Sequence, residues 1–170
     1  MKYIDGNLLT LAEQGQFDYI VHGCNCQNTM GSGIAGQIAR KYPKAFMVDQ
    51  LTERGDASKL GKFTQAYLNG MAIHSIGPGI RGVKQVPYSF TIINAYTQEH
   101  FGTDRVHVDY EAMFNVFKQI KMLYDMNPMA PARIGIPQIG SDRAGGDWTI
   151  IESIIDGLGF SDLTCVIYNQ

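Results

Sequence analysis

Residues 20–35 read Ile20-Val21-His22-Gly23-Cys24-Asn25-Cys26-Gln27-Asn28-Thr29-Met30-Gly31-Ser32-Gly33-Ile34-Ala35. They continue an apolar run, Phe17–His22, of the length and composition of one buried strand. Polar residues and glycines follow, and a helical pattern then sets in over Gly33–Tyr42. Strand, loop and helix in that order open a parallel crossover. Glycines beside a helix start leave backbone N–H groups uncovered, next to the partly positive helix end, where an anion can approach. In an open parallel sheet, ligands collect beyond the carboxyl ends of the strands.

Further apolar runs read as strands at Ala72–Ile76, Thr91–Tyr96, Arg133–Pro137 and Leu163–Tyr168, with weaker signals at Lys62–Leu68 and Lys2–Ile4. Between them lie helical patterns. Met113, Val116, Phe117, Ile120, Leu123 and Tyr124 recur at helical spacing behind Asp109 and Glu111, acidic residues that suit a helix start. Asp147 reads as the N-cap of another helix carrying Ile150, Ile151, Ile154, Ile155 and Leu158, which Gly157 and Gly159 close. Pro43 restarts the chain after Tyr42 into a helix from Lys44 to about Arg54. Gly77–Gly82 reads as a surface turn or hairpin tip. Strands alternating with helices predict a three-layer α/β/α sandwich around a mixed, mostly parallel sheet, as one domain over residues 1–170.

The 170 residues carry 45% hydrophobic and 18% charged side chains, with a net charge of −2. No broad basic surface is evident, so a nucleic-acid partner is not expected. No apolar run approaches the roughly 20 residues of a membrane span, and the N-terminus lacks a signal-peptide core. Three cysteines, two of them nearly adjacent, make a poor disulfide framework. The expectation is a cytoplasmic, monomeric protein.

The first loop has competing readings. It is not a Walker A sequence, since no Gly-Lys-Ser/Thr follows. Gly31, Gly33 and Gly36 satisfy the dinucleotide expression Gly-x-Gly-x-x-Gly. Yet eight residues, 23–30, separate those glycines from the strand, and no acidic ribose partner is evident. His22, Cys24 and Cys26 suggest a metal, but they lack a second Cys/His pair for a tetrahedral set. The cysteines therefore read as packing residues, with no metal and no cofactor expected.

The same stretch resembles the first ligand loop of macro domains, an apolar strand followed by Asn-Ala-Ala-Asn, a spacer and Gly-Gly-Gly-Val/Ile-Ala. His22 falls where the first Asn often stands, Asn25 on the second, and Gly31-Ser32-Gly33 on the glycine triplet. His22-x-Cys24-Asn25-Cys26 with Tyr42-Pro43-Lys44-Ala45 is similar to the small ADP-ribose-1″-phosphate phosphatase branch. Asp5-Gly6-Asn7-Leu8-Leu9 resembles the family's Gly-Asp-Ile, whose acidic residue reads the adenine amino group; Asn7 takes that place here. Residues 136–148, Ile-Pro-Gln-Ile-Gly-Ser-Asp-Arg-Ala-Gly-Gly-Asp-Trp, resemble the second phosphate loop. Val166-Ile167-Tyr168 resembles the final strand.

The resemblance implies a ligand, ADP-ribose or ADP-ribose-1″-phosphate, and a binding set of Asn7, Gly31, Ser32, Gly33, Ile34, Ile139, Gly140, Ser141, Arg143, Ala144, Gly145 and Tyr168. It implies three outcomes: release of the terminal phosphate, removal of ADP-ribose from a modified target, or binding alone. Asn25, His22 and Asp142 are the catalytic candidates: Asn25 orients the distal ribose, His22 titrates near neutrality, and Asp142 is a carboxylate beside the ligand. Asn25 also reads as a bridge within its own loop, and His22 as a satisfied core residue. Asp142 stands where many relatives have Gly, so it is expected to adopt a left-handed conformation, repel phosphate or act chemically, with Arg143 compensating. Tyr96, Gln98 and Phe101 are candidate walls of the distal ribose. Gln98 lies near the place where some de-ADP-ribosylating relatives carry a lysine, which disfavours a lysine adduct.

Overall fold

Alternation along β2 (Tyr19–Asn25) sets the layers. Ile20 packs with Leu8, Leu9, Phe17, Ile38 and Ala45, whereas Val21 packs with Met113, Phe117, Ile151 and Ile155. Ile92 and Ile93, paired beside them on the neighbouring strand, divide in the same way. Strands buried on both faces need apolar residues at every position, which is why they read as continuous runs. Each such side chain contributes about 1.5–3 kcal/mol on leaving water.

A computed structural model describes residues 1–127 and 129–168 of the chain, the side chain of Ile80 excepted. In chain order, the elements are β1 (Lys2–Asp5), α1 (Leu8–Glu13), β2, α2 (Gly33–Lys41), α3 (Pro43–Gln50), a short 3-10 turn (Ala57–Lys59) and β3 (Phe63–Gly77). β4 (Ile80–Gln98), α4 (Tyr110–Tyr124), β5 (Ile134–Ile136), α5 (Trp148–Gly157) and β6 (Leu163–Ile167) follow. They build the expected three-layer sandwich. The sheet order is β1-β6-β5-β2-β4-β3, and every neighbouring pair is parallel except the antiparallel β3–β4. Residues of α4 and α5 pack in one core with one face of the sheet, and residues of α1, α2 and α3 pack in a second with the other.

Asp147 caps α5 as the sequence predicts, accepting from the Thr149 amide at 2.8 Å. Asp109 caps α4 in the same manner. Two expectations need correction. The runs Lys62–Leu68 and Ala72–Ile76 are one strand, β3, whose ladder with β4 runs from Phe63↔Ala95 to Gly77↔Ile80. Lys84 lies within β4. A six-residue helix, α1, stands where the sequence gave no helical signal.

The parallel strands all point their carboxyl ends the same way. Loops leaving β1, β2, β4, β5 and β6 therefore gather at one end of the sheet.

Candidate functional site

A cavity of about 770 Å³ opens at that end of the sheet. Its floor comes from the loops after β2 and β5, and its ends from Asn7 after β1, Gln98 at the close of β4 and Tyr168 after β6. Of the residues proposed from the sequence, the cavity is lined by Asn7, Asn25, Gly31, Ser32, Gly33 and Ile34 on one side. Ile139, Gly140, Ser141, Asp142, Arg143 and Ala144 line the other, with Tyr168 at the rim. Gly145 lies outside the lining and has a positive φ of 69°.

The two loops offer backbone donors. Ser32 is the N-cap of α2 by position, but its hydroxyl makes no capping bond. The first-turn amides of Gly33, Ile34 and Ala35 find no partner among the described residues, which leaves their donors to a ligand. Gly33 holds φ at +56°, a left-handed conformation that side chains resist. Across the cleft, the loop folds on itself through Gly146 N to Gly140 O (2.9 Å) and Gly145 N to Asp142 O (3.1 Å). The amides of Asp142, Arg143 and Ala144 find no partner among the described residues. Arg143 is the cationic side chain of the cavity lining and reaches toward the first loop: a Cβ added at Gly33 would stand 4.0 Å from its Cδ.

Asp142 does not need the left-handed conformation that its alignment with Gly predicts. Asn28, at φ 55°, is the non-glycine residue with positive φ among those described. In the second loop Gly140, at φ 78°, takes the turn instead. Asp142 is exposed on the cavity wall, and its carboxylate has no hydrogen-bond partner among the described residues.

His22 is fully buried and absent from the lining. Its Nε2 lies 2.8 Å from Asn94 Oδ1, and burial pushes its pKa down to about 4, against the opposing pull of that bond. The geometry makes it a neutral core residue and does not support its expected acid–base role. Tyr96 is likewise buried away from the cleft, donating to Asp49 Oδ1 at 2.9 Å, so it walls no ribose. Gln98 and Phe101 do line the cavity.

Asn25 is half committed. Its Oδ1 accepts from Gln27 N at 3.0 Å and Thr29 Oγ1 at 3.1 Å, and its Nδ2 donates to Thr29 O at 2.9 Å. A carboxamide nitrogen carries two hydrogens, so one donor is left for the cleft. The loop beneath is pinned by a buried network that composition did not reveal. Asn28 Nδ2 donates to Asp49 O (2.8 Å) and Thr52 O (2.9 Å), and Lys59 donates to Asn28 Oδ1. Lys59 also donates to Thr52 Oγ1 at 3.0 Å and sits 5.1 Å over the Tyr96 ring. Burial raises the Asp49 carboxyl, against the lowering contacts of Tyr96 and Lys59. Cys24 and Cys26 are buried free thiols packed with Met30 and Tyr96, and burial raises both. Among the described residues no group of three or more His, Cys, Asp or Glu is placed to hold a metal.

Fold and loops together define a class: an α/β/α domain with an amide-lined anion cleft at the carboxyl ends of a mostly parallel sheet. No family model matches the chain. It is 35% identical over 157 residues to an uncharacterized 17.5 kDa protein of Enterobacteria phage T4, covering 92% of this chain and 88% of the relative. It is 25% identical to an ADP-ribose 1″-phosphate phosphatase of Saccharomyces cerevisiae, covering 99% and 97% of the two chains. Among solved structures, the macrodomain of Mycobacterium tuberculosis DarG superposes with a TM-score of 0.62 at 24% identity, covering 99% and 97%. The chain belongs to the macro domain family, in the branch that contains these phosphatases.

Proposed function

We propose that this macro domain binds ADP-ribose and releases the terminal phosphate of ADP-ribose-1″-phosphate. One observation carries the reading: two loops with free amides face each other across a cavity of about 770 Å³, with Arg143 on its rim. The loops suit a diphosphate, the end near Asn7 and Tyr168 suits a base, and the end near Asn25 and Gln98 suits the distal ribose. The similarity to named ADP-ribose 1″-phosphate phosphatases supports the substrate.

In the proposed reaction water attacks the terminal phosphorus. The bond from phosphorus to the ribose oxygen breaks, the ribose regains a hydroxyl and inorganic phosphate leaves. Catalysis of this kind is mostly positioning and charge stabilisation. Arg143 offsets the charge on the transferring group, the free Asn25 donor holds the ribose, and Asp142 orients the water and takes its proton. A cytoplasmic monomer remains part of the proposal.

Binding without turnover is the second reading. It is favoured because Asp142 is the sole carboxylate of the described cavity lining, with no histidine, cysteine or lysine beside it. Product analysis with Asp142→Asn separates the two. Phosphate release is expected to fall about 10²-fold or more, with ADP-ribose affinity retained or improved. Full activity in the variant removes Asp142 from the chemistry, and no phosphate or ADP-ribose released by the wild type leaves the reader.

A further inference from the structure

We propose that the outer edge of the β3–β4 ribbon docks an extended acidic peptide, one that alternates carboxylate and apolar side chains and adds to the sheet as a further strand.

The ribbon outruns the rest of the sheet. β2 pairs with β4 only from Thr91 onward, so residues 80–90 have β3 as their one strand neighbour among the described residues. β3 ends the sheet order, and its far side faces no strand among them. The ladder fixes which backbone groups lie on that side. Thr91 N donates to Asp18 O at 2.9 Å, away from β3, so Thr91 and its partner Tyr67 form a pair whose groups point apart. The Tyr67 carbonyl accordingly lies outside the ribbon, where it accepts from Lys44 Nζ at 2.9 Å. Every second residue repeats this orientation, which puts the N–H and C=O groups of Asn69, Met71 and Ile73 on the open edge. Pro87, opposite Met71, fits the same pattern, since its nitrogen has no proton to give to β3. No described residue meets the outward groups of Asn69, Met71 and Ile73.

Proteins usually blunt such an edge with charge or proline. Pro87 does so on the β4 side of the ribbon, but Phe63–Gly77 holds no Lys, Arg, Asp, Glu or Pro. One face of the edge is apolar: Met71 and Ile73 are 56% and 68% exposed, with exposed Tyr67 and Val83 beside them. The other face carries His74 opposite Lys84. Between Ala57 and Gln98 the chain has no Asp or Glu, whereas Lys62, Arg81 and Lys84 are exposed. Glu13, 4.0 Å from His74, is buried and already paired with Lys41 at 2.7 Å. An antiparallel strand sets a residue directly opposite Met71 with its side chain on the same face, and its next side chain on the other. Apolar side chains of the peptide therefore lie beside Met71 and Ile73, and carboxylates beside His74 and Lys84. Main-chain bonds supply affinity at such an edge, and the alternate side chains supply specificity. A second copy of this chain offers the same basic ribbon and no carboxylate to meet it, so charge favours the acidic peptide.

Titration of the isotope-labelled chain with a short capped peptide of alternating Glu and Val, followed by amide resonances and hydrogen exchange, tests this. The amides of Asn69, Met71 and Ile73 are expected to shift and to exchange more slowly. Replacing Glu by Lys in the peptide, or N-methylating the valines whose amides face the edge, should weaken binding by about tenfold or more. Arg81→Glu combined with Lys84→Glu should weaken it likewise, in a chain whose unfolding midpoint is unchanged. Failure of the Glu peptide to bind overturns the proposal, as do equal affinities for the Glu, Lys and N-methylated peptides, or shifts confined to other amides. Slow exchange of the three amides in a dimer of the free chain overturns it too, and gives the edge to a second copy.

Discussion

Burial sets the behaviour of His22. Its imidazole has exchanged water for the interior, and one bond to Asn94 does not compensate for the lost hydration of a charged ring. The folded pKa falls to about 4 from an ordinary 6.5. Between those values the unfolded chain binds a proton that the folded chain refuses. Stability contributed by the neutral ring is therefore full above about pH 6.5 and is lost as pH falls toward 4. The loss amounts to about 2 kcal/mol by pH 5. Urea unfolding at pH 7 and pH 5 should show a steeper decline in the wild type than in His22→Gln. Equal declines would mean that the ring is not held neutral. The same burial keeps His22 out of the cavity lining, which sequence could not show, because a histidine at a strand end has one spelling whether it faces a cleft or a core. Lys59 carries no mark of burial in the sequence either, yet it is buried, donating to Asn28 and Thr52 under the first loop.

At the scale of elements, the legible parts are those whose burial is two-sided or whose ends are marked. β2, β5, β6 and the middle of β4 announce themselves as apolar runs, and α4 and α5 by caps and periodicity. α1 spans six residues, too short to show a repeat, and its start depends on Asn7. The β3–β4 ribbon was hidden because Asn69-Gly70 looks like a turn within a half-exposed strand. Gly70 serves the packing instead: a Cβ there would lie 2.7 Å from the Tyr88 hydroxyl. The glycine loops were legible as walls of a cavity at the strand ends, but not which glycine carries the conformational load. Gly33 does so at the head of α2, with φ +56°, and a Cβ added there would meet only the Arg143 Cδ at 4.0 Å. Gly33→Ala should cost about 1 kcal/mol of stability from strain alone. It should weaken ADP-ribose by about tenfold or more, because the strain falls on the amides that face the ligand. Urea unfolding beside calorimetry measures both; unchanged affinity would mean that the first turn of α2 does not contact the diphosphate.

The molecule as a whole divides its tasks by sheet end. Helices on both faces stabilise the strands, and the carboxyl ends of the strands are left to loops. There, among the described residues, free amides, glycines, Asp142 and Arg143 meet. The three-layer architecture followed from the order of strands and helices, since parallel strands require covered faces. The contents of the cleft followed only in part, because membership depends on which side chains turn outward. A ligand that fits this end should stabilise the whole domain, since it ties the loops after β2 and β5 together. At a concentration about 100 times its Kd it adds about 2.7 kcal/mol, a rise of roughly 5–10 °C in the unfolding midpoint. The most direct measurement is calorimetric titration of the purified chain with ADP-ribose. One molecule bound per chain, with affinity weakened by Gly33→Ala, is the expected result; no heat and no shift in midpoint at saturating concentrations would contradict the assignment of the cleft.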